Sequence, residues 1–346
     1  MNAIVFDEPY KFKYVEIPDP VLGDNDIVVK VMAVGVCGSD MHRFKGELPF
    51  PKGTVMGHEF SGEVVEVGKN VTNFVLGDKV VPYPLTTCKV CEMCRKGAYH
   101  LCNNGYFGDA AKAFAEYVKL DTTKDEIYHL PDKLSYEEGA FVEPLAVALN
   151  AVQKSVPKIT NNVVVLGAGP IGMLITAVLT TLPVKIAVTD VSEKRLNFAK
   201  ELGAHHVINA KTHDVKGELM HLFGSKRYGV YHEGPDVDMV YEAAGAPQTF
   251  PQALEIVRAQ GTVVVAAYAN PPITFDPNII PQKEINIIGS FCYTEEFQQA
   301  IDLIASREID FTKFISHMYP LDKTQEAFEK QADTENSIKV IVKPFE

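Results

Sequence analysis

Residues Asn161 to Gly172 read NNVVVLGAGPIG, an apolar run of strand length that breaks into Gly167-Ala168-Gly169-Pro170-Ile171-Gly172 and continues as PIGMLITAVLTTL, long enough for a helix. Val163 to Leu166 show no polar alternation, as expected of a strand covered on both faces. The three glycines of a G-x-G-x-x-G turn serve different ends: one makes the tight turn, one lets backbone approach a pyrophosphate, and one brings helix against strand. The helix that follows presents free amides and its positive dipole end to phosphate. Alone the pattern is weak, and its context strengthens it. A second strand, VKIAVTD, ends at Asp190, eighteen residues past Gly172, where an acid can bind ribose hydroxyls. Asp190 would repel a 2′-phosphate, so NAD is favoured over NADP. Lys194 and Arg195 lie close enough to soften that preference, Arg195 as a candidate cofactor contact, although on an exposed helix such charges are ordinarily solvated.

Beyond this turn, SEKRLNFAKELGA, DVDMVYEAAG, TFPQALEIVRAQ and GTVVVAAYA continue to alternate helix and strand. Such alternation predicts a parallel sheet with helices on both faces. The chain before about residue 145 differs. There DIVVKVMAVGV, GEVVEVG, GDKVVPYPL and AEYVKL are short β segments between Gly and Pro, the pattern of a barrel or sandwich. The last sixty residues mix strand and helix and close with SIKVIVKPFE. At 346 residues, 46% hydrophobic and 23% charged, the chain has the length and balance of a two-domain globular protein. No apolar window is long enough to span a bilayer. The start lacks the basic-then-apolar pattern of an export signal, so a cytoplasmic address is expected. A net charge of −12 argues against nucleic acid as a partner.

Four of the six cysteines fall between Cys88 and Cys102 in CKVCEMCRKGAYHLC. In a reducing compartment, clustered thiols point to metal or catalysis more than to disulfides. Cys88, Cys91, Cys94 and Cys102 follow C-x2-C-x2-C-x7-C, and four thiolates at loop spacing make a closed tetrahedral zinc site. Iron–sulfur runs also begin C-x2-C-x2-C, but they close sooner and end in Cys-Pro, whereas Asn103 follows Cys102 here. A second set is dispersed. GVCGSDMH supplies Cys37, Ser39, Asp40 and His42, GHEFSGEVVEVG supplies His58 and Glu59, and FVEPLAV supplies Glu143. A thiolate, an imidazole and a carboxylate can form a three-ligand zinc site with room for water or substrate. Taken singly, a buried Cys or His is ordinarily a packing residue.

Together these pieces resemble the zinc-dependent medium-chain alcohol and polyol dehydrogenases. The likeness covers the whole chain and rests on CGSD, GHEFSGEVVEVG followed by GDKV, the cysteine lobe, Glu143-Pro144, GAGPIG and the late IIGSF. It implies an α/β chain with a GroES-like β-barrel catalytic domain over 1–147, a Rossmann doubly wound parallel sheet binding NAD over 148–286, and a return to the catalytic domain over 287–346. In that family Cys37, His58 and Glu59 would hold a catalytic zinc ion, with Glu143 as ligand or as partner of its water. The lobe cysteines would hold a structural one. Ser39 matches the family's proton-relay hydroxyl, and His42 the histidine that passes the proton to solvent. Adjacent His58-Glu59 and the Val-Glu-Pro at Glu143 look like the sorbitol, butanediol, threonine and galactitol-1-phosphate branch, in which homotetramers are common.

The resemblance implies reversible oxidation of a secondary alcohol of a polyol or diol, by formation of a zinc alkoxide and hydride transfer to NAD, in the cleft between the two domains. Polyol phosphates and L-threonine are the alternatives. Arg43, beside His42, could meet a substrate phosphate or form a surface ion pair. Cys292 stands where sorbitol dehydrogenases carry an arginine before the tyrosine, a departure that counts against a free hexitol and leaves smaller diols or other secondary alcohols open. Two rivals remain: a zinc-free NADPH reductase on the same scaffold, which needs no Cys37/His58 pair, and a non-catalytic NAD-binding sensor, to which Ser39 and His42 would be of no use.

Overall fold

The computed structural model describes residues 1–158, 161–230, 232–269 and 271–346. They form two compact units, Met1–Ala146 with Tyr293–Glu346, and Val147–Cys292.

The second unit is built on a six-stranded parallel sheet. Its strands Asn162–Leu166, Lys185–Asp190, His206–Asn209, Met239–Glu242, Thr262–Val265 and Asn286–Gly289 lie in the order 3-2-1-4-5-6. The winding order of the strands reverses between Asn162–Leu166 and Met239–Glu242, which is where such sheets open a ligand crevice. Val163, Val164, Val165 and Leu166 are wholly buried, as their unalternating sequence requires. Intervening helices start on built-in caps: Ser192 Oγ accepts from Arg195 N–H at 3.4 Å, and Asp214 Oδ2 from Gly217 N–H at 3.2 Å. The sequence reading does not place the strand His206–Asn209, the helix Val215–Phe223 or the antiparallel hairpin Ser225–Tyr228 with His232–Pro235.

In the first unit, Asp26–Gly35 is the central strand of a seven-stranded sheet. It pairs antiparallel with Glu59–Val67, Tyr117–Asp121 and Lys339–Lys343, and the sheet extends to Lys79–Pro82, Ile127–His129 and Ile315–Pro320. Phe12 stacks on Phe44 at 5.0 Å, while Phe328 meets Phe12 at 4.7 Å, Phe44 at 5.3 Å and Phe114 at 5.4 Å. Phe44 ends the helix Gly38–Phe44, so this aromatic cluster fixes the helix that carries Ser39 and His42. Each such ring pair adds about 0.5–1.5 kcal/mol beyond its buried area.

An N-terminal ribbon, Asn2–Glu8 with Lys11–Glu16, packs here as well. Its Asp7 is buried and receives Lys52 Nζ at 2.6 Å and Lys13 Nζ at 3.0 Å. These two hydrogen bonds, from Lys52 and then Lys13, draw its carboxyl down from 3.8 to about 2. A carboxylate whose native pKa is depressed contributes stability that is complete above the unfolded value and disappears as pH falls through the native one. Asp7→Asn is therefore expected to lower the melting temperature at neutral pH, with the gap to wild type closing as pH falls from about 4 toward about 2. A constant gap across that window would contradict this account.

Candidate active site

Sheet register brings the dispersed ligands to one corner of the first unit. Gly35 pairs with Glu59 on one side and with Ile341 on the other. Cys37 thus stands two residues beyond one strand, His58 one residue before its neighbour, and Lys339 two residues before Ile341. Donor atoms of Cys37, His58 and Glu59 lie within 4.8 Å of one another. His58, Glu59 and Glu143 are all buried, Glu143 in the first turn of the helix Val142–Ser155. Burial pushes the Glu143 carboxyl up to about 7, with the Glu59 charge adding to the rise and His58, a Tyr293 hydrogen bond and Lys339 opposing it.

Around the ligands the structure supplies partners. Cys37 Sγ caps the helix Gly38–Phe44 by accepting from Ser39 N–H at 3.4 Å, and it accepts from the Ser39 hydroxyl at 3.4 Å. Asp40, fully buried, sets Oδ1 3.5 Å from His58 Nδ1, the outer carboxylate that metal-binding imidazoles ordinarily have. Burial would lower the His58 pKa, but Asp40 and Cys37 together hold it well above the usual imidazole value. Lys339, 2% exposed, pairs with Glu59 Oε2 and donates to Val36 O at 3.0 Å. Gly35 makes room for that pair, since a Cβ there would stand 2.4 Å from Glu59 Oε2 and 2.8 Å from Lys339 Cε. Four potential anions (Cys37, Asp40, Glu59 and Glu143) thus gather around Lys339, Arg43 and the His58 imidazole, whose charged form Asp40 and Cys37 favour. A divalent ion would take the place of the imidazole proton, and the thiolate, imidazole and carboxylate donors suit zinc.

In the lobe, Cys88, Cys91, Cys94 and Cys102 are unpaired, with sulfurs within 4.8 Å of one another. Sulfur separations are 3.5 Å for Cys102–Cys88, 3.9 Å for Cys91–Cys102 and 4.0 Å for Cys88–Cys94. A tetrahedron with bonds of about 2.3 Å has edges of about 3.8 Å, so this spacing fits zinc. Backbone N–H groups of Val90 and Cys91 draw the Cys88 thiol down to about 6, while burial and neighbouring thiols push Cys94 up to about 12. Four sulfurs this close ionise together only around a cation.

In the second unit the glycine turn behaves as its sequence predicts. Gly167 has φ +98°, and a Cβ on Gly172 would stand 1.9 Å from Gly167 O, so neither position admits a side chain. A Cβ on Gly169 would meet open space, and Gly169 begins the helix Pro170–Thr180, with Pro170 and Ile171 in its first turn. Asp190 ties the turn to its neighbouring strand: Oδ2 accepts from Ala168 N–H at 2.7 Å, and Oδ1 from Val191 and Ser192 N–H at 2.8 and 2.9 Å. Arg195, expected on an exposed face, is instead buried with Leu196, Phe198 and Ala199, because the helix Glu193–Glu201 turns that side inward.

Other residues take unforeseen positions. Arg43 does not stand free for a phosphate: its Nη1 lies 3.4 Å from Asp40 Oδ1, and its guanidinium sits over Phe50 and Phe107 at 5.3 and 5.7 Å. Ser39 turns to the Cys37 sulfur, while the His42 ring meets Glu47. Sequence reading assigned no role to Asp40, Lys339 or Glu47. A lysine inside the apolar run IKVIV was the one available signal for a buried ion pair.

Residues 23–132 match the family described as alcohol dehydrogenase GroES-like domain, and residues 170–306 match zinc-binding dehydrogenase. The chain is 32% identical to the sorbitol dehydrogenase of Bacillus subtilis (strain 168), over 99% of this chain and 97% of that one. It is 34% identical to the D-arabitol-phosphate dehydrogenase of Enterococcus avium, over 95% and 93%. The crystal structure of 2R,3R-butanediol dehydrogenase from Bacillus subtilis superposes with a TM-score of 0.87 at 31% identity, covering 99% of each chain. The chain accordingly belongs to the zinc-binding medium-chain dehydrogenases, enzymes that act on CH–OH groups and carry a GroES-like domain beside a Rossmann sheet.

Proposed function

We propose that this dehydrogenase reversibly oxidises a secondary alcohol of a polyol or diol to the ketone, using NAD(H) and two zinc ions per chain. The meeting of Cys37, His58 and Glu59 beside buried Glu143, with the Ser39 hydroxyl already on the thiol, carries this reading. Cys37, His58 and one of the glutamates, Glu59 or Glu143, hold the catalytic ion, and the four lobe cysteines hold the structural one. When bound, zinc supplies Lewis acidity to the alcohol oxygen and NAD supplies the hydride acceptor. Asp40 keeps the His58 imidazole oriented. Ser39 takes the hydroxyl proton and His42 passes it to solvent, general-base work over a short hydrogen-bonded chain. The turn from Gly167 to Gly172 holds the pyrophosphate, and Asp190 takes the ribose hydroxyls at a position unfavourable to NADP.

The sorbitol and butanediol dehydrogenase likenesses support an unphosphorylated substrate. So does Arg43, whose guanidinium is taken up by Asp40, Phe50 and Phe107. A polyol phosphate is the second reading, on the likeness to the arabitol-phosphate enzyme. Among the described residues no helix is long and apolar enough to cross a membrane. We further propose a cytoplasmic address, from the cysteine usage, and a homotetramer or dimer, to be measured by light scattering. Zinc analysis and a substrate panel test the whole. Expected are two zinc per chain and turnover of sorbitol, xylitol or 2,3-butanediol, faster with NAD than with NADP. Preference for arabitol phosphate would select the second reading, and NAD binding without turnover of any alcohol would leave a sensor.

A further inference from the structure

The helix Gly38–Phe44 is followed by a tight turn, Lys45-Gly46-Glu47, that the mechanism above does not use. Backbone bonds close it. Gly46 N–H donates to Arg43 O at 3.0 Å, and the His42 carbonyl accepts from Glu47 N–H at 2.9 Å and Leu48 N–H at 3.2 Å. Gly46 has φ +75°, and a Cβ there would stand 2.8 Å from Pro9 Cγ, so the turn depends on that glycine. Its effect is to fold the Glu47 side chain back onto the His42 ring, where Glu47 Oε2 meets Nδ1. Both side chains are partly covered, at 27% and 29% exposure.

We propose that Glu47 is a positioning residue for proton exit, holding the proton of His42 on Nδ1 so that Nε2 keeps its lone pair. The inference rests on the relay role read for His42. A neutral imidazole has two tautomers, and the partner of one nitrogen decides what the other can do. An ionised carboxylate only accepts, so the nitrogen facing it must carry the hydrogen. Glu47 thereby leaves Nε2 as the acceptor for a proton leaving Ser39, and it stabilises the imidazolium once that proton arrives. A turn that served only to end the helix would need Gly46 and no carboxylate.

The test uses the zinc-loaded enzyme with histidine nitrogens labelled. Among the ten histidines, the His42 resonances are those lost in His42→Gln. Wild type is expected to show a protonated Nδ1 and an unprotonated Nε2. Glu47→Met, which keeps volume but removes the acceptor, should lose that pattern and lower kcat by on the order of a hundredfold, with KM nearly unchanged. Sorbitol or 2,3-butanediol serves as substrate, whichever turns over faster. Glu47→Gln, whose amide oxygen still accepts, should restore the pattern and much of kcat. Glu47→Ala is read in the same way should the methionine disturb the turn, and zinc content and melting temperature report on folding. An unchanged tautomer or kcat in the acceptor-free variants overturns the proposal. If His42→Gln itself leaves kcat intact, the relay reading fails instead. The nitrogen spectra need no substrate, so they decide the Glu47 contact separately.

Discussion

Cys37→Ser is expected to cut kcat/KM by on the order of a thousandfold, the several kcal/mol that a Lewis acid contributes to a developing alkoxide charge. Zinc content should fall from two to one per chain, because the lobe cysteines form a separate cluster. The fold should survive for a specific reason. Cys37 Sγ is the N-cap of the helix Gly38–Phe44, and serine is among the best residues at that position. Loss of activity with an unchanged melting temperature and one remaining zinc would separate a ligand from a packing residue. Wild-type activity at one zinc per chain would refute the assignment.

Lys339→Met should have a large effect of another kind. Lys339 and Glu59 are both 2% exposed by side chain and paired with each other. Removing one partner of such a pair leaves an uncompensated buried charge, at a cost of about 3–5 kcal/mol. That cost should appear in full in the zinc-free protein and shrink when zinc is bound, because the released carboxylate then has the ion to turn to. Zinc should leave to a chelator more slowly, because the freed carboxylate becomes a further donor, while turnover falls because Glu59 crowds the substrate position. Gly35→Ala attacks the same pair from the adjoining strand and should weaken stability with or without metal, since its Cβ collides with both partners. Equal destabilisation of both forms by Lys339→Met would mean that the lysine merely packs.

What the sequence made legible follows from how local each feature is. The lobe could be read because its four thiols are set by loop spacing alone. The Rossmann sheet could be read because each strand–turn–helix unit carries its own signals, down to Gly167, Gly172 and the acid at Asp190. That Cys37 and His58 meet is a matter of register between strands that a long connection separates; the residue types suggested it, and the family likeness decided it. The Lys339–Glu59 pair was out of reach, since it depends on where the strand Lys339–Lys343 docks. Arg195 misled because a charged residue reads as exposed whenever the buried side of its helix is not otherwise marked. Glu47 lies five residues from His42, yet the turn that joins them shows in sequence only as a glycine.

The two clusters of candidate metal donors differ in when they can exist during synthesis. One is contained in fifteen consecutive residues, so a nascent chain can close it around an ion as soon as that segment clears the ribosome. The other needs Gly35 flanked by two strands far apart in the chain, and the lysine that balances its glutamate is made 280 residues after it. On the proposed assignment metal loading would follow translation: an ion could enter the cysteine lobe of an unfinished protein, whereas the Cys37, His58 and Glu59 cluster gains its balancing lysine only once the strand Lys339–Lys343 has been made.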